Sequence, residues 1–149
     1  MKIVHVVKVF LQRESDGKIL VQTRADTKKV TPGRFEYSAG GLIDPGESPH
    51  EAILREMREE IGVQTPVEFF DALDVFNPYI DAHNVFYLFF GTIKQDITWF
   101  DTHEVKAVGF YSLTEIDDMI KTQGEDKFDL GYIEALAKLK KFLGGRDKL

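Results

Sequence analysis

Apolar residues near the start of the chain fall on both parities: Ile3, Val4, Val6, Val7, Val9, Phe10 and Leu11. That pattern predicts a strand over residues 2–12 that is buried on two faces. A turn signal at 14–17 and β-rich residues at 18–24 make a hairpin with it. His5 lies on this strand and reads as a packed or surface histidine. A short strand at 35–38 leads into a glycine pair, Gly40 and Gly41. The period then changes: Ile53, Leu54, Met57 and Ile61 recur at helical spacing on one arc. Ser48 and Glu51 form a capping box, Pro49 suits the first helical position, and Gly62 supplies a left-handed stop. A helix is therefore expected from Pro49 to Ile61.

Strands at 67–76 and 84–93 are expected to pair around a turn at 77–81. The aromatic side chains Phe76 and Tyr79 at this turn read as buried in a core or a partner surface, in preference to stacking on a base. His83 reads as a loop histidine. A loop at 96–103 carries Trp99 and Phe100, and a strand follows at 105–111. Thr114 is expected to cap a short helix with Ile116, Met119 and Ile120 as its apolar contacts. Asp129 is expected to cap a last helix, with Leu130, Ile133, Leu136, Ala137 and Leu139 as a core-facing stripe. The tail at 144–149 is expected to fray. No repeat or linker divides the chain, so residues 1–149 are read as one domain.

The middle helix also carries chemistry. At about 100° per residue, Glu56, Glu59 and Glu60 fall within an arc of roughly 100°. Three carboxylates on one arc repel one another. A hard divalent cation would convert that repulsion into attraction, and oxygen ligands suit magnesium. The competing reading is a solvated acidic face. It suits Glu51 and Arg58 better than the three glutamates, because a specific glycine loop precedes those.

The segment 41–63 resembles the Nudix box, G-x5-E-x7-R-E-U-x-E-E-x-G-U with U an aliphatic residue. Gly41, Glu47, Arg55, Glu56, Met57, Glu59, Glu60, Gly62 and Val63 stand at its defined positions. The resemblance implies an α+β fold, an α/β/α sandwich with a mixed β-sheet and a loop-helix. It implies cleavage of a diphosphate linkage with magnesium, or manganese in its place. Glu56, Glu59 and Glu60 would hold the metal, helped by the Gly40 carbonyl. Arg55 would brace the glycine loop and orient the carboxylates by pairing with Glu47, with Gly41 and Gly62 shaping the segment. Family members place the base either on the helix or in a downstream loop, and Glu104 is the downstream candidate here.

A shorter resemblance concerns residues 21–33, which look like the corresponding segment of isopentenyl-diphosphate isomerases and isomerase-like Nudix hydrolases. It implies a phosphate-binding role for Arg24 and Lys28. The isomerase reaction needs a cysteine that this chain lacks, and serine is not acidic enough to replace it. An isomerase-like hydrolase is therefore the expectation, ahead of an isomerase and ahead of a binding module that senses a nucleotide without turnover.

Composition narrows the partners. The net charge of -6 disfavours long nucleic acid, including the RNA of a decapping enzyme. The absence of cysteine excludes disulfides, thiolate zinc sites and cysteine nucleophiles. No apolar run reaches membrane-spanning length and no signal segment is evident, so a cytoplasmic protein is expected. The expected substrate is a small-molecule diphosphate, with a nucleoside diphosphate derivative favoured. The sequence leaves the oligomeric state open, and the aromatic hairpin from Phe69 to Phe90 could supply the interface of a homodimer.

Overall fold

The computed structural model describes residues 2–146. A seven-stranded mixed sheet is built on the first strand, β1 (Lys2–Arg13). β1 runs antiparallel to β2 (Ile19–Arg24) and to β4 (Ala39–Leu42), and parallel to β6 (Ala82–Ile93) along its whole length. The sheet is extended by β3 (Phe35–Glu36) and β7 (Val105–Tyr111) on β2, and by β5 (Val67–Asn77) on β6. The two-faced apolar pattern of β1 has its cause here. Val7, Val9 and Leu11 enter one core with Phe89 and helix α1 (Pro49–Ile61), while Val6 and Phe10 enter a second core on the opposite face. That second core is closed by α2 (Leu113–Gln123) and α3 (Tyr132–Arg146), through Ile116, Tyr132, Leu136 and Leu139. Helices on both faces of a mixed sheet make the expected sandwich.

Helix α1 starts and stops where its sequence demands. Ser48 accepts from the Glu51 amide, Glu51 returns the bond to the Ser48 amide, and Gly62 takes the left-handed conformation at φ 65°. Ala52, Ile53, Met57 and Ile61 are buried, and full burial of side chains such as Ile53 and Met57 contributes roughly 1.5–3 kcal/mol each.

Several expectations are corrected. The cap of α2 is Ser112, not Thr114, because Ser112 has the capping-box partner Glu115 at the third helical position. Asp129 does not cap α3 with its side chain. The carboxylate is buried against Lys8 and Thr31, and only its backbone carbonyl receives the Tyr132 amide. The glycine pair is not a loop but the middle of β4. A Cβ at Gly40 would lie 2.6 Å from the Val7 carbonyl oxygen and from Lys8 Cδ, so only glycine lets β4 press this closely on β1. In α3 the buried stripe is Tyr132, Ala135, Leu136 and Leu139, while Ala137 is exposed. α3 includes Gly144, Gly145 and Arg146, and the rest of the expected frayed tail lies outside the described residues. The hairpin aromatics divide: Phe86, Phe89 and Phe90 are buried, whereas Phe69, Phe76 and Tyr79 are exposed, contrary to the burial expected for Phe76 and Tyr79.

Candidate active site

A cleft of about 750 Å³ opens along the β1 face that carries Lys8, Val6 and Val4. One end is walled by β4 and α1, through Gly40, Gly41, Glu56, Glu59 and Glu60. The end of β2 brings Arg24 to it, the loop after β2 brings Lys28, and the loop before β7 brings Glu104. The residues expected from the sequence to bind metal and phosphate thus line one cavity.

Arg55 organises the acidic end. Its Nε and Nη2 donate to the two oxygens of Glu47 at 2.7 and 2.9 Å, a bidentate pair. Nη2 also donates to the Leu42 carbonyl at 3.0 Å, which ties the helix to the end of β4. Nη1 donates to Glu56 at 2.7 Å and to Glu59 at 3.2 Å. The Arg55 guanidinium and the Asp44 amide hold the Glu47 carboxyl below its ordinary range. One guanidinium thus contacts Glu47, Glu56, Glu59 and the end of β4.

The three helix glutamates are not equivalent. Glu60 is only 7% exposed. It accepts from Gln22 Nε2 at 2.7 Å and from the Gly40 amide at 3.4 Å. Burial pushes its carboxyl well above the carboxylate range, and the neighbouring Glu56 and Glu36 carboxyls add to that rise against the opposing donation from Gln22. The Glu56 carboxyl stands beside that of Glu60 at the same end of the cleft. Glu59 shares the Arg55 Nη1 donor with Glu56, but its side chain is 55% exposed. Among the described residues no three acidic or histidine side chains converge as a complete metal cage. The expected trio is therefore a close pair plus a third carboxylate more open to solvent.

A divalent cation fits that pair. Two carboxyls forced together in a dry wall relieve their repulsion either by keeping a proton or by gaining a cation. Magnesium commonly binds through one or two carboxylates and completes its shell with water and phosphate oxygens. Gly41 keeps the place open, since a Cβ there would sit 2.5 Å from the Glu56 carboxylate. Gly41→Ala should leave the melting temperature within a few degrees of wild type, because the obstructed group is the end of a flexible side chain. It should lower turnover about tenfold or more by displacing Glu56. Kinetics beside a thermal melt check this.

Sequence reading missed the floor of the cleft. Lys8, 5% exposed, donates to Glu36 at 2.9 Å and to Asp129 at 3.3 Å. Arg24 Nη1 donates to the other Glu36 oxygen at 2.8 Å, and Arg24 Nε to the Val30 carbonyl at 3.0 Å. Thr31, at φ 44°, donates its hydroxyl to Asp129 at 2.6 Å. A β-branched residue rarely holds a positive φ, and this buried bond helps fix it there. Burial opposes the charge on Asp129, but Lys8 and Arg24 outweigh it and hold the carboxyl below its usual value. A lysine between Val7 and Val9 was the one available signal.

Arg24 is thus engaged with Glu36, and Lys28 is paired with Glu104 across the cleft. Glu104 is held by the backbone, donating its amide to Asp101 at 3.1 Å and accepting the Ala25 amide at 3.0 Å. Asp101 in turn donates its amide to the Glu60 carbonyl at 2.8 Å, which links this loop to α1. His5 meets the Tyr87 hydroxyl at 3.0 Å and does not line the cleft. His83 is in β6, not in a loop, and faces Asp74 at 3.2 Å.

A mixed sheet sandwiched between helices, with a glycine strand feeding a capped acidic helix beside a mixed cleft, defines the class of fold. The NUDIX domain model matches residues 2–132, and the chain belongs to the NUDIX family. The chain is 33% identical over 113 residues to the nucleoside triphosphatase NudI of Salmonella agona, covering 62% of this chain and 79% of that protein. It is 40% identical over 67 residues to the CTP pyrophosphohydrolase of Escherichia coli, covering 45% of this chain and 47% of that protein. Several curated relatives are matched over only about a third to a half of their length. The NUDIX domain of Shewanella oneidensis NrtR, solved with ADP ribose, shares the fold at TM-score 0.75 and 17% identity, covering 96% of this chain and 90% of that one.

Proposed function

We propose that the protein hydrolyses a diphosphate linkage in a small organic pyrophosphate, most naturally a nucleoside diphosphate derivative, with magnesium or manganese. The observation that carries this is the Glu56–Glu60 pair at one end of a cleft that also receives Arg24, Lys28 and Glu104. A divalent cation held by Glu56 and Glu60, beside Gly40 and Glu59, would neutralise charge on the phosphoryl oxygens. Arg55 keeps the carboxylates aimed and locks the helix to β4. Lys28 is the cation that can turn to a substrate phosphate, because its pairing with Glu104 is half open to solvent. Release of Lys28 leaves the Glu104 carboxylate to accept a proton from the attacking water. Arg24 acts by charge at the floor, since its guanidinium is engaged with Glu36 and Val30.

The names of the relatives, a nucleoside triphosphatase and a CTP pyrophosphohydrolase, favour a nucleotide over a prenyl diphosphate. The test is a panel of nucleoside triphosphates, nucleotide sugars, dinucleoside polyphosphates and isopentenyl diphosphate, scored by product with and without magnesium. Metal-dependent release of phosphate or pyrophosphate is expected. Conversion of isopentenyl diphosphate to its allylic isomer would overturn the hydrolase reading, and binding without turnover would replace it with a sensor. In Glu104→Gln, kcat should fall by about 10²–10⁴ with loss of the acid limb of the pH–rate profile. A variant as fast as wild type at every pH removes Glu104 from the chemistry.

A further inference from the structure

Behind the acidic end of the cleft, β2 buries an amide. Gln22 follows Leu20 and Val21, and its backbone sits between Glu36 on β3 and Val108 on β7. It is 1% exposed, so its polar atoms oppose folding unless they are paired. Its Nε2 donates to the Ser38 carbonyl at 3.0 Å and to Glu60 Oε1 at 2.7 Å. A carbonyl oxygen only accepts, so Ser38 fixes which end of the amide is the nitrogen. Ser38 is itself tied down. Its amide donates to the Val9 carbonyl at 2.9 Å, and its hydroxyl accepts from the Leu11 amide at 2.8 Å and donates to the Leu20 carbonyl at 2.7 Å. β1 and β2 thus hold the post from which Gln22 reaches Glu60.

The consequence falls on one oxygen. Glu60 Oε1 accepts from Gln22 and, at 3.4 Å, from the Gly40 amide. Oε2 takes no hydrogen bond among the described residues, yet it is not sealed in the interior, and Glu60 lines the cleft. With Oε1 held from behind, Glu60 presents a single oxygen beside Glu56. A small cation that demands near-octahedral geometry suits a pinned ligand of one oxygen, whereas calcium takes about six to eight oxygens and accepts bidentate carboxylates in flexible sites. We propose that Gln22 is a positioning residue that restricts Glu60 to one cleft-facing oxygen and so makes the site select magnesium or manganese over calcium. This rests on the metal reading of the Glu56–Glu60 pair, but it concerns ion binding and is measured without turnover.

The experiment compares wild type with Gln22→Met, which is of similar length but has no donor, and with Gln22→Asn, an amide too short to span Ser38 and Glu60. Binding of Mn2+ is read from the electron paramagnetic resonance of the free ion, without substrate. Displacement by Mg2+ and by Ca2+ then gives the ratio of their affinities, and thermal melts run beside the titrations. Wild type should prefer Mg2+. Gln22→Met should bind Mn2+ and Mg2+ about tenfold or more weakly, the usual scale for losing a group that orients a metal ligand. Its preference for Mg2+ over Ca2+ should fall by about tenfold, because calcium gains the released oxygen. Gln22→Asn should shift the preference in the same direction and decides the question if the methionine variant does not fold. An amide that only supports the fold would lower the melting temperature, since the Ser38 carbonyl loses its donor, and would leave the preference alone. A preference within about twofold of wild type in folded Gln22→Met, or in Gln22→Asn should the methionine variant not fold, overturns the assignment and leaves the hydrolase reading to its own test. So does wild type that binds Ca2+ as well as Mg2+, or that binds no Mn2+. If the preference shifts as expected but wild type cleaves no diphosphate, the hydrolase reading fails and the Gln22 assignment stands.

Discussion

Glu60→Gln should lose about a thousandfold or more in metal-dependent turnover and yet be at least as stable as wild type when no metal is present. The first half follows from the several kcal/mol that a divalent cation contributes to charge stabilisation, at about 1.4 kcal/mol per factor of ten. The second follows from burial. Burial and the neighbouring carboxyls penalise the Glu60 anion in the metal-free fold. Glutamine is nearly the same shape, is always neutral, and retains an oxygen for the Gln22 donor. The sign of the pH dependence can be fixed. The folded pKa of Glu60 lies above the unfolded value near 4.5, so the folded state binds the extra proton between those two values. Wild-type stability in chelator should therefore fall as pH rises from about 4.5 through the raised pKa, and Glu60→Gln should abolish that fall. Denaturant melts across pH read the slope, and steady-state kinetics read the turnover. A variant that turns over like wild type ends the metal assignment for this residue.

Lys8→Met should cost about 3–5 kcal/mol of unfolding free energy, the usual result of removing one partner from a buried ionic cluster. Methionine fills the space beside Tyr37 and Phe86, over whose rings the ammonium lies at 4.9 and 5.3 Å. It leaves Glu36 and Asp129 buried with Arg24 as the remaining cation. The acid behaviour is opposite to that of Glu60. Asp129 has a folded pKa below its unfolded value, so its contribution is present above about 3.8 and is lost as pH falls through the folded pKa. Lys8→Met weakens the depression and shifts that loss to higher pH. Urea melts at neutral and acid pH check both, and a cost below about 1 kcal/mol would mean that Arg24 alone neutralises the pair.

The sequence made α1 legible to the residue because every signal was local. Ser48, Pro49, Glu51 and Gly62 lie within a few positions of the bonds they form, and the apolar arc has one period. The identity of the glutamates was also local, but their division of labour was not. Glu56 and Glu60 differ from Glu59 through Gln22 and β4, which no helical wheel contains. The same reason hid the floor of the cleft. Lys8 and Asp129 are 121 positions apart, and nothing near Asp129 announces a buried cation. Asp129 was therefore read by its neighbours, as a cap. Arg24 was legible as a cation at the site but not as one already engaged by Glu36. Gln22 sat within a short strand, where a single amide carries no signal until its nitrogen is seen between Ser38 and Glu60.

The parallel pairing of β1 with β6 bears on how the chain must be made. Lys2 meets Ala82 and Arg13 meets Ile93, so β1 is synthesised some eighty residues before this neighbour. Such long-range closure is slow, because loop entropy is spent before contacts return it. Until β6 arrives, β1 is an apolar ribbon with one edge open, and Lys8 lacks the buried partners it has in the finished fold. That charge is a natural guard against pairing with the β1 of another nascent chain. The residue that later anchors the floor of the cleft would thus serve first during synthesis, by keeping the opening strand single until its own partners appear.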